Sequence, residues 1–342
     1  MRWIVTGGAG FIGSCFARLA LQERWADEVV VADALTYAGN LANLDPVKEL
    51  PGYSFVRVDI CEPAAVERSL PKEADAVFHF AAESHVDRSI EDASAFIQTN
   101  VLGTQVLLDW AVRHGLKRFV HVSTDEVYGS LELDSSERFT ETSPLEPTSP
   151  YAASKTASDH LVLAMHRTHG LDVVVTRCSN NYGPYQFPEK FIPLFLTNAM
   201  EGKKLPLYGD GLNVRDWIHV EDHARGIRAA FERGTSGAVY NLGGECERAN
   251  RDIAHAIVTA VGADPSLIEF VKDRKAHDRR YAIDPSLAAD ALDFTPGPPI
   301  EERLTEVVEW YRKHRSWWDE IKSGAYRDYY ERMYGNRGRA DG

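Results

Sequence analysis

Short apolar runs alternate with stretches of helical period through the first half of the chain. Arg2-Trp3-Ile4-Val5-Thr6, Glu28 to Ala32, Tyr53 to Val58, Asp75 to Phe80, Lys117 to Val122 and Asp172 to Thr176 are dense in Val, Ile and Phe. Runs of this kind, with little polar alternation, predict strands buried on both faces. Between them, Ser14 to Glu23, Glu62 to Leu70, Glu91 to His114 and Ser149-Pro150-Tyr151 to about Thr168 carry helical patterns. Strands and helices taking turns predict right-handed crossovers and an α/β, doubly wound parallel sheet. Leu131 to Pro150 is polar and predicts a loop. Past Arg177 the pattern loosens. Phe191 to Met200 predicts a short helix, Lys203 to Gly211 a loop or hairpin, and Ile218-His219-Val220 leads into a helix through Arg233. Val239 to Leu242 predicts a strand that rejoins the sheet; Asn250 to Val261 and Ile300 to His314 predict amphipathic helices. The aromatic-rich stretch from Trp310 to Tyr334 is expected to pack on the body or on a partner, and residues 335–342, without apolar anchors, to be disordered.

The first run leads directly into Gly7-Gly8-Ala9-Gly10-Phe11-Ile12-Gly13, with a helix behind it. Gly7, Gly10 and Gly13 let the backbone turn tightly and approach a pyrophosphate, which the free N–H groups of the helix N-terminus attract. Strand, glycines and helix in this order predict a Rossmann dinucleotide-binding unit. The second strand ends at Asp33, whose carboxylate suits ribose hydroxyls and repels a 2′-phosphate, favouring NAD over NADP. Asp59-Ile60, after the third strand, suit an adenine ring. These boundaries predict an NAD unit over 1–178, with 214–243 returning to it, and a smaller C-terminal substrate-binding unit over 179–213 and 244–334.

Composition narrows the classes of partner. The formal net charge of −13 argues against a general nucleic-acid or anionic-membrane surface, but allows a local cluster of cations. Cys15, Cys61, Cys178 and Cys246 stand apart without ligand spacing and predict reduced core thiols in a cytoplasmic protein; no metal site is expected. The chain enters a strand at once, so no signal peptide is expected, and nowhere do enough apolar residues run together to span a membrane.

The candidate chemistry follows the fifth strand, at Ser123-Thr124-Asp125-Glu126-Val127-Tyr128-Gly129. Strand C-terminal ends are where open α/β sheets bind ligands, and adjacent carboxyls there supply an acid and a base if their surroundings separate them. The same residues also suit a plain loop or helix cap. Downstream, Tyr151 and Lys155 are spaced to share one helix face. They are a solvated pair or, in a dinucleotide unit, a phenol base whose pKa the ammonium and a positive nicotinamide ring lower. Asn180, Asn181, Phe187, Glu189, Lys190, Tyr208 and Arg215 supply rings for stacking and cations for phosphate, as a nucleotide-linked substrate needs. Lys190 and Arg215 suit the surface equally well. The charged run Lys272 to Arg280 is a solvated stretch or a phosphate-side loop.

With these stretches in hand, the chain resembles the extended short-chain dehydrogenase/reductases and, within them, the dTDP-glucose 4,6-dehydratases. The likeness runs from Thr6 to about Tyr334 and is carried by TGGAGFIG, by DALTYAGN from Asp33, AAESHVDRSI from Ala81 and TDEVYG from Thr124. SNNYGPYQF from Ser179, PLYGDGLNVRDWIHVED from Pro206 and HDRRYAID from His277 continue it. The resemblance implies that Tyr151, assisted by Lys155 and Thr124, takes the sugar C4 hydroxyl proton while hydride passes to NAD. It implies that Glu126 then takes the C5 proton and Asp125 protonates the departing C6 hydroxyl. For NAD it implies Phe11, Ile12, Asp33, Thr36, Asp59, Ile60, Ala81, Ala82, Thr99, Asn181, Tyr151 and Lys155. For the nucleotide sugar it implies Ser84, Thr124, Asn180, Glu189, Lys190, Pro206, Tyr208, Arg215, Asn250, Arg274 and His277. Lys275-Ala276 departs from the family's common Pro-Gly at that place. A homodimer through helices around Asn100–His114 and Pro150–Thr168 is implied as well. Within the same fold a UDP-glucose dehydratase, a 4-epimerase or a decarboxylase competes, and from another class a silent nucleotide-sugar binder. Asp125 and Glu126 weigh against an epimerase, and intact Thr124, Tyr151 and Lys155 against a silent binder.

Overall fold

The computed structural model describes residues 1–274 and 277–323. In chain order the strands are β1 (Arg2–Thr6), β2 (Glu28–Asp33), β3 (Tyr53–Arg57), β4 (Ala76–His79), β5 (Arg118–Thr124) and β6 (Val173–Cys178). They continue as β7 (Asn180–Tyr182), β8 (Leu205–Tyr208), β9 (Val214–His219), β10 (Ala238–Leu242), β11 (Glu247–Ala249) and β12 (Ile268–Val271). Seven of them form one wholly parallel sheet in the order β10-β6-β5-β4-β1-β2-β3. The strand pleat explains why the apolar runs are continuous. In β1, Trp3 and Val5 pack on one face with Phe16, Phe78 and Val120, while Ile4 packs on the other with Val30, Val77 and Phe119. Both faces are covered by helices, so neither set of alternate residues meets water.

The strand order reverses between β1 and β4, and the crevice at such a switch point is where doubly wound sheets bind ligands. The loops after β1 and β4 touch there: Gly7, at φ +66°, would bring a Cβ within 2.5 Å of the Ala81 amide nitrogen. A second core gathers Tyr182, Phe195, Trp217, Ile253, Leu304, Tyr311 and Trp318 around the small sheet β11-β9-β7 and the parallel pair β12-β8.

Three expectations are corrected. Lys203 to Gly211 is no hairpin, because β8 pairs in parallel with β12, far along the chain. Val214–His219 does not return to the large sheet. It lies between β11 and β7, whereas the Val220–Arg233 helix, β10 and the Ser286–Leu292 helix pack on the first core. The single helix over 91–114 is broken: one helix ends at Glu91, Asp92 turns the chain by accepting from the Ser94 N–H (2.9 Å), and Ile97–Gly103 is π-helical before Thr104–Arg113. Among the described residues no helix is long and apolar enough to cross a membrane. The departure at Lys275-Ala276 and the tail at 335–342 lie outside the described residues.

Candidate active site

The glycine-rich turn is tied to the strand ends around it. The Gly7 N–H donates to the Ala32 carbonyl (2.8 Å), and the Ala9 N–H to Asp33 Oδ2 (2.9 Å). Asp33 Oδ1 accepts from the Leu35 N–H (2.8 Å), and each of its oxygens keeps a second acceptor site. A Cβ on Gly13 would lie 2.4 Å from the Gly7 carbonyl oxygen, so the turn can close only without one. At Gly10 the nearest atom would be 3.2 Å away, and the bare backbone opens onto the cleft. The Phe11–Gln22 helix starts there with no side-chain cap, leaving its first N–H groups free for an anion.

This turn is one wall of a cleft of about 330 Å³. Every position expected to hold NAD lines it: Gly7, Gly10, Phe11, Ile12, Gly13, Asp33, Thr36, Asp59, Ile60, Ala81, Ala82, Thr99, Tyr151, Lys155 and Asn181. The π-helical turn is part of that wall. It faces Thr99 to the cleft, and Asn100 donates from Nδ2 to the Glu83 carbonyl (3.0 Å) and Ser154 Oγ (2.8 Å). π-bulges inside helices recur at functional sites. A glycine cradle, an uncapped helix start and a carboxylate with spare acceptor capacity together fit a dinucleotide.

A second cavity of about 160 Å³ adjoins the first, with Glu126, Asn180, Glu189 and Lys190 lining both. Pro206, Tyr208, Arg215, Asn250, Arg274 and His277, scattered over the sequence, line this second cavity, and Ser84 and Thr124 line the first. Lys190 Nζ donates to the Ser84 carbonyl (2.7 Å), and the Arg215 guanidinium lies 4.2 Å over the Tyr281 ring while donating to the Asp278 carbonyl (2.9 Å). Neither cation is a surface charge. Arg274 sits with Nη1 3.6 Å from Asp87 Oδ1, and His277 Nδ1 lies 2.6 Å from Asp273 Oδ1. Asp125 Oδ2, Asn180 Oδ1 and Arg274 Nε are buried without a hydrogen-bond partner among the described residues. Such groups are rare unless a ligand or water completes them.

Thr124, Asp125 and Glu126 sit where β5 ends, with Thr124 Oγ1 accepting from the Glu126 N–H (3.3 Å). The two carboxyls have different surroundings. Burial drives Asp125 well above the ordinary carboxyl range, the charges of Glu126 and Asp216 push it further, and only Arg215 among the cations opposes them. Burial raises Glu126 too, but Arg274, Lys190 and Arg215 all pull it back. Asp125 is thus raised further with one cation opposing its burial, while three cations hold Glu126 back, surroundings of the kind that separate an acid from a base. Burial pushes the Lys155 ammonium down to about 8, against the pull of the Asp159 carboxylate, while Nζ donates to the Val122 carbonyl (2.9 Å). The Tyr151 phenol departs from expectation. Burial and the charge of Glu126 raise it well above its usual value, and only a hydrogen bond with Thr124 lowers it. The chain's own charges thus oppose ionisation of this phenol, and a cation beside it would act in the other direction.

Sequence reasoning missed Tyr37, Asn43, Glu83 and Trp317 in the first cavity and Asp87 and Tyr281 in the second. Tyr37 and Asp87 fall inside the stretches that carried the resemblance; Asn43 and Trp317 had no motif to mark them.

The comparisons agree on one kind of protein. The family described as GDP-mannose 4,6 dehydratase matches residues 4–307. A dTDP-glucose 4,6-dehydratase of Streptomyces griseus is 55% identical over 320 residues, 93% of this chain and 96% of its own. The crystal structure of DesIV, a dTDP-glucose 4,6-dehydratase from Streptomyces venezuelae with NAD bound, is 53% identical with a TM-score of 0.91, covering 94% of this chain and 100% of its own. A UDP-glucose 4-epimerase from Thermus thermophilus, in complex with NAD, has the same fold at a TM-score of 0.83 but only 32% identity, over 92% of this chain and 100% of its own.

Proposed function

The chain belongs to the GDP-mannose 4,6-dehydratase family and, within it, to the dTDP-glucose 4,6-dehydratases, and from this premise we propose how its own residues perform the reaction. It converts dTDP-glucose to dTDP-4-keto-6-deoxyglucose, as a hydro-lyase of deoxysugar biosynthesis. The carrying observation is the pair of adjacent carboxyls in unlike surroundings, Asp125 raised by burial and neighbouring charge and Glu126 held back by three cations, in the cleft with Tyr151 and Lys155. When bound, NAD supplies the acceptor for the C4 hydride, the donor that returns it to C6, and a positive ring beside the phenol.

Tyr151 Oη takes the C4 hydroxyl proton, with Thr124 and Lys155 orienting it. The resulting 4-keto group acidifies C5, and Glu126 removes the proton there. Asp125 gives its own proton to the C6 hydroxyl, which leaves as water, and C5 is then reprotonated. Atoms balance to the loss of one water with no net redox change. Lys190, Arg215 and Arg274 hold the diphosphate, and Asn180, Glu189, Tyr208, Asn250 and His277 the sugar and nucleoside. Residues 1–178 with 220–243 and the Ser286–Leu292 helix form the cofactor unit, and 179–219 with most of 244–323 the substrate unit. Incubation with dTDP-glucose followed by mass spectrometry should show a product lighter by one water, without accumulation of NADH. An unchanged mass with conversion to the galactose epimer would overturn the dehydratase in favour of an epimerase.

The reading includes a homodimer in the cytoplasm. Leu102, within the helices expected at the contact, exposes 45% of its surface, and Ile97 just before it and Ile90 on the preceding helix expose 52% and 40%, apolar surface that a second copy would cover. The cysteines are all free thiols, in keeping with a reducing compartment. Light scattering should give twice the chain mass, and Leu102→Glu should halve it; a wild-type monomer would remove the dimer from the reading.

A further inference from the structure

The C-terminal Arg315–Lys322 helix reaches back across the molecule to the glycine-rich turn. Trp317 on this helix lines the dinucleotide cleft, and its Nε1 donates to Asn43 Oδ1 (3.0 Å). Asn43, buried behind the turn, donates in its turn from Nδ2 to the Ala9 carbonyl (2.9 Å). Arg18 braces the same place from the first helix, donating from Nη1 to the Asn43 carbonyl (2.7 Å) and to Ser14 Oγ (3.0 Å). Its guanidinium lies 4.2 Å over the ring of Tyr185. That ring packs against Trp310 (4.5 Å) and edge-on against Trp317 (5.8 Å). Tyr185 takes a φ of +67°, a left-handed conformation that costs a non-glycine residue strain. The neighbouring backbone is fixed as well: Tyr311 Oη donates to the Gln186 carbonyl (2.7 Å), and Gln186 Nε2 to the Asn181 carbonyl (2.8 Å).

These contacts have one direction in common. They join the second unit to the Ala9 peptide in the middle of the turn expected to cradle the pyrophosphate. We propose that Trp317 is a positioning residue for the dinucleotide: through Asn43 it holds the glycine-rich turn in shape, and its ring closes the cleft wall, so the C-terminal helix sets how long NAD stays bound. The inference rests on the NAD reading above. A dehydratase that reuses one cofactor must not lose it while the hydride is stored, so slow release is a property the reaction needs. Differences among variants of one site fall mainly on the rate of release.

Trp317→Phe keeps an aromatic ring but loses the pyrrole with its N–H; Asn43→Ala removes the acceptor, together with the donor to the Ala9 carbonyl. Exchange of bound NAD against labelled NAD should quicken about fivefold to tenfold in Trp317→Phe, the worth of one neutral hydrogen bond, and by more in Asn43→Ala. The double variant should match Asn43→Ala alone, since both remove the same bond. The concentration of added NAD that gives half-maximal turnover should rise in both variants, whereas KM for dTDP-glucose should move less than that. If Trp317→Phe does not fold, Asn43→Ala reads the same bond. Exchange within twofold of wild type in the folded variants would overturn the proposal while leaving the NAD reading intact. A wild-type protein that binds no NAD would overturn both.

Discussion

Glu126→Gln is expected to stop the reaction after C4 oxidation, lowering turnover by about 10²–10⁴-fold, the usual worth of one positioned acid or base. Absorbance of reduced nicotinamide should build up on the enzyme after substrate is added. The argument lies in the surroundings of the carboxyl. Arg274, Lys190 and Arg215 pull Glu126 toward the ionised form against its burial, which makes it the group able to receive a carbon-bound proton. Glutamine fills the same volume and accepts no proton. Tyr151 and Lys155, proposed for the C4 step, are left unchanged by the substitution. The two halves of the reaction therefore separate. Stopped-flow absorbance with mass analysis of the quenched mixture reads both, and product formed at the wild-type rate would remove Glu126 from its role.

The second large effect concerns the support under Lys155. Asp159, one turn further along the same helix, is fully buried; it accepts from Arg177 Nε at 2.9 Å and lies 3.3 Å from His121 Nε2. Asp159→Asn leaves Arg177 and Lys155 buried without their counter-charge, and breaking a buried pair from one side costs about 3–5 kcal/mol. Urea unfolding at neutral pH should show that loss. The sign with pH follows from the position of the carboxyl. Its partners hold it down to about 2 in the folded chain, below the ordinary 3.8. Its stabilisation is thus present above pH 3.8 and is lost as pH falls through about 2, so wild type and variant should converge on acidification. Lys155, now at about 8 with the help of Asp159, should fall further in the variant, moving the alkaline limb of activity to lower pH. Equal stability of the two proteins at neutral pH would mean that the charge cluster is not a support.

Much of this was legible in the chain because it is local. The β1 run, the glycines behind it and Asp33 at the end of β2 are neighbours in sequence, and their physical demands can be read residue by residue. The Thr124–Glu126 step at the end of β5 was legible for the same reason. What escaped was pairing at long range. Nothing in Leu205–Tyr208 announces that its partner is Ile268–Val271, and a strand with a distant parallel partner looks like half of a hairpin. The break at Asp92 was hidden because the helical period runs through it, and only the turn closed by the Ser94 N–H on Asp92 separates the two helices. The raised Tyr151 phenol was hidden because it depends on two carboxyls and on burial, not on the lysine one turn away. Trp317 and Asn43 meet only in the folded chain.

The place of β10 also bears on how the protein is made. β6 finishes at Cys178, but the strand that covers its open edge begins only at Ala238. At the usual 5–20 residues per second, the ribosome needs roughly 3–12 s to deliver that cover. During that interval the nascent sheet carries a bare, β-branched border of Val173, Val174 and Val175. A growing chain of this design leaves that border open to pairing with another chain until β10 arrives.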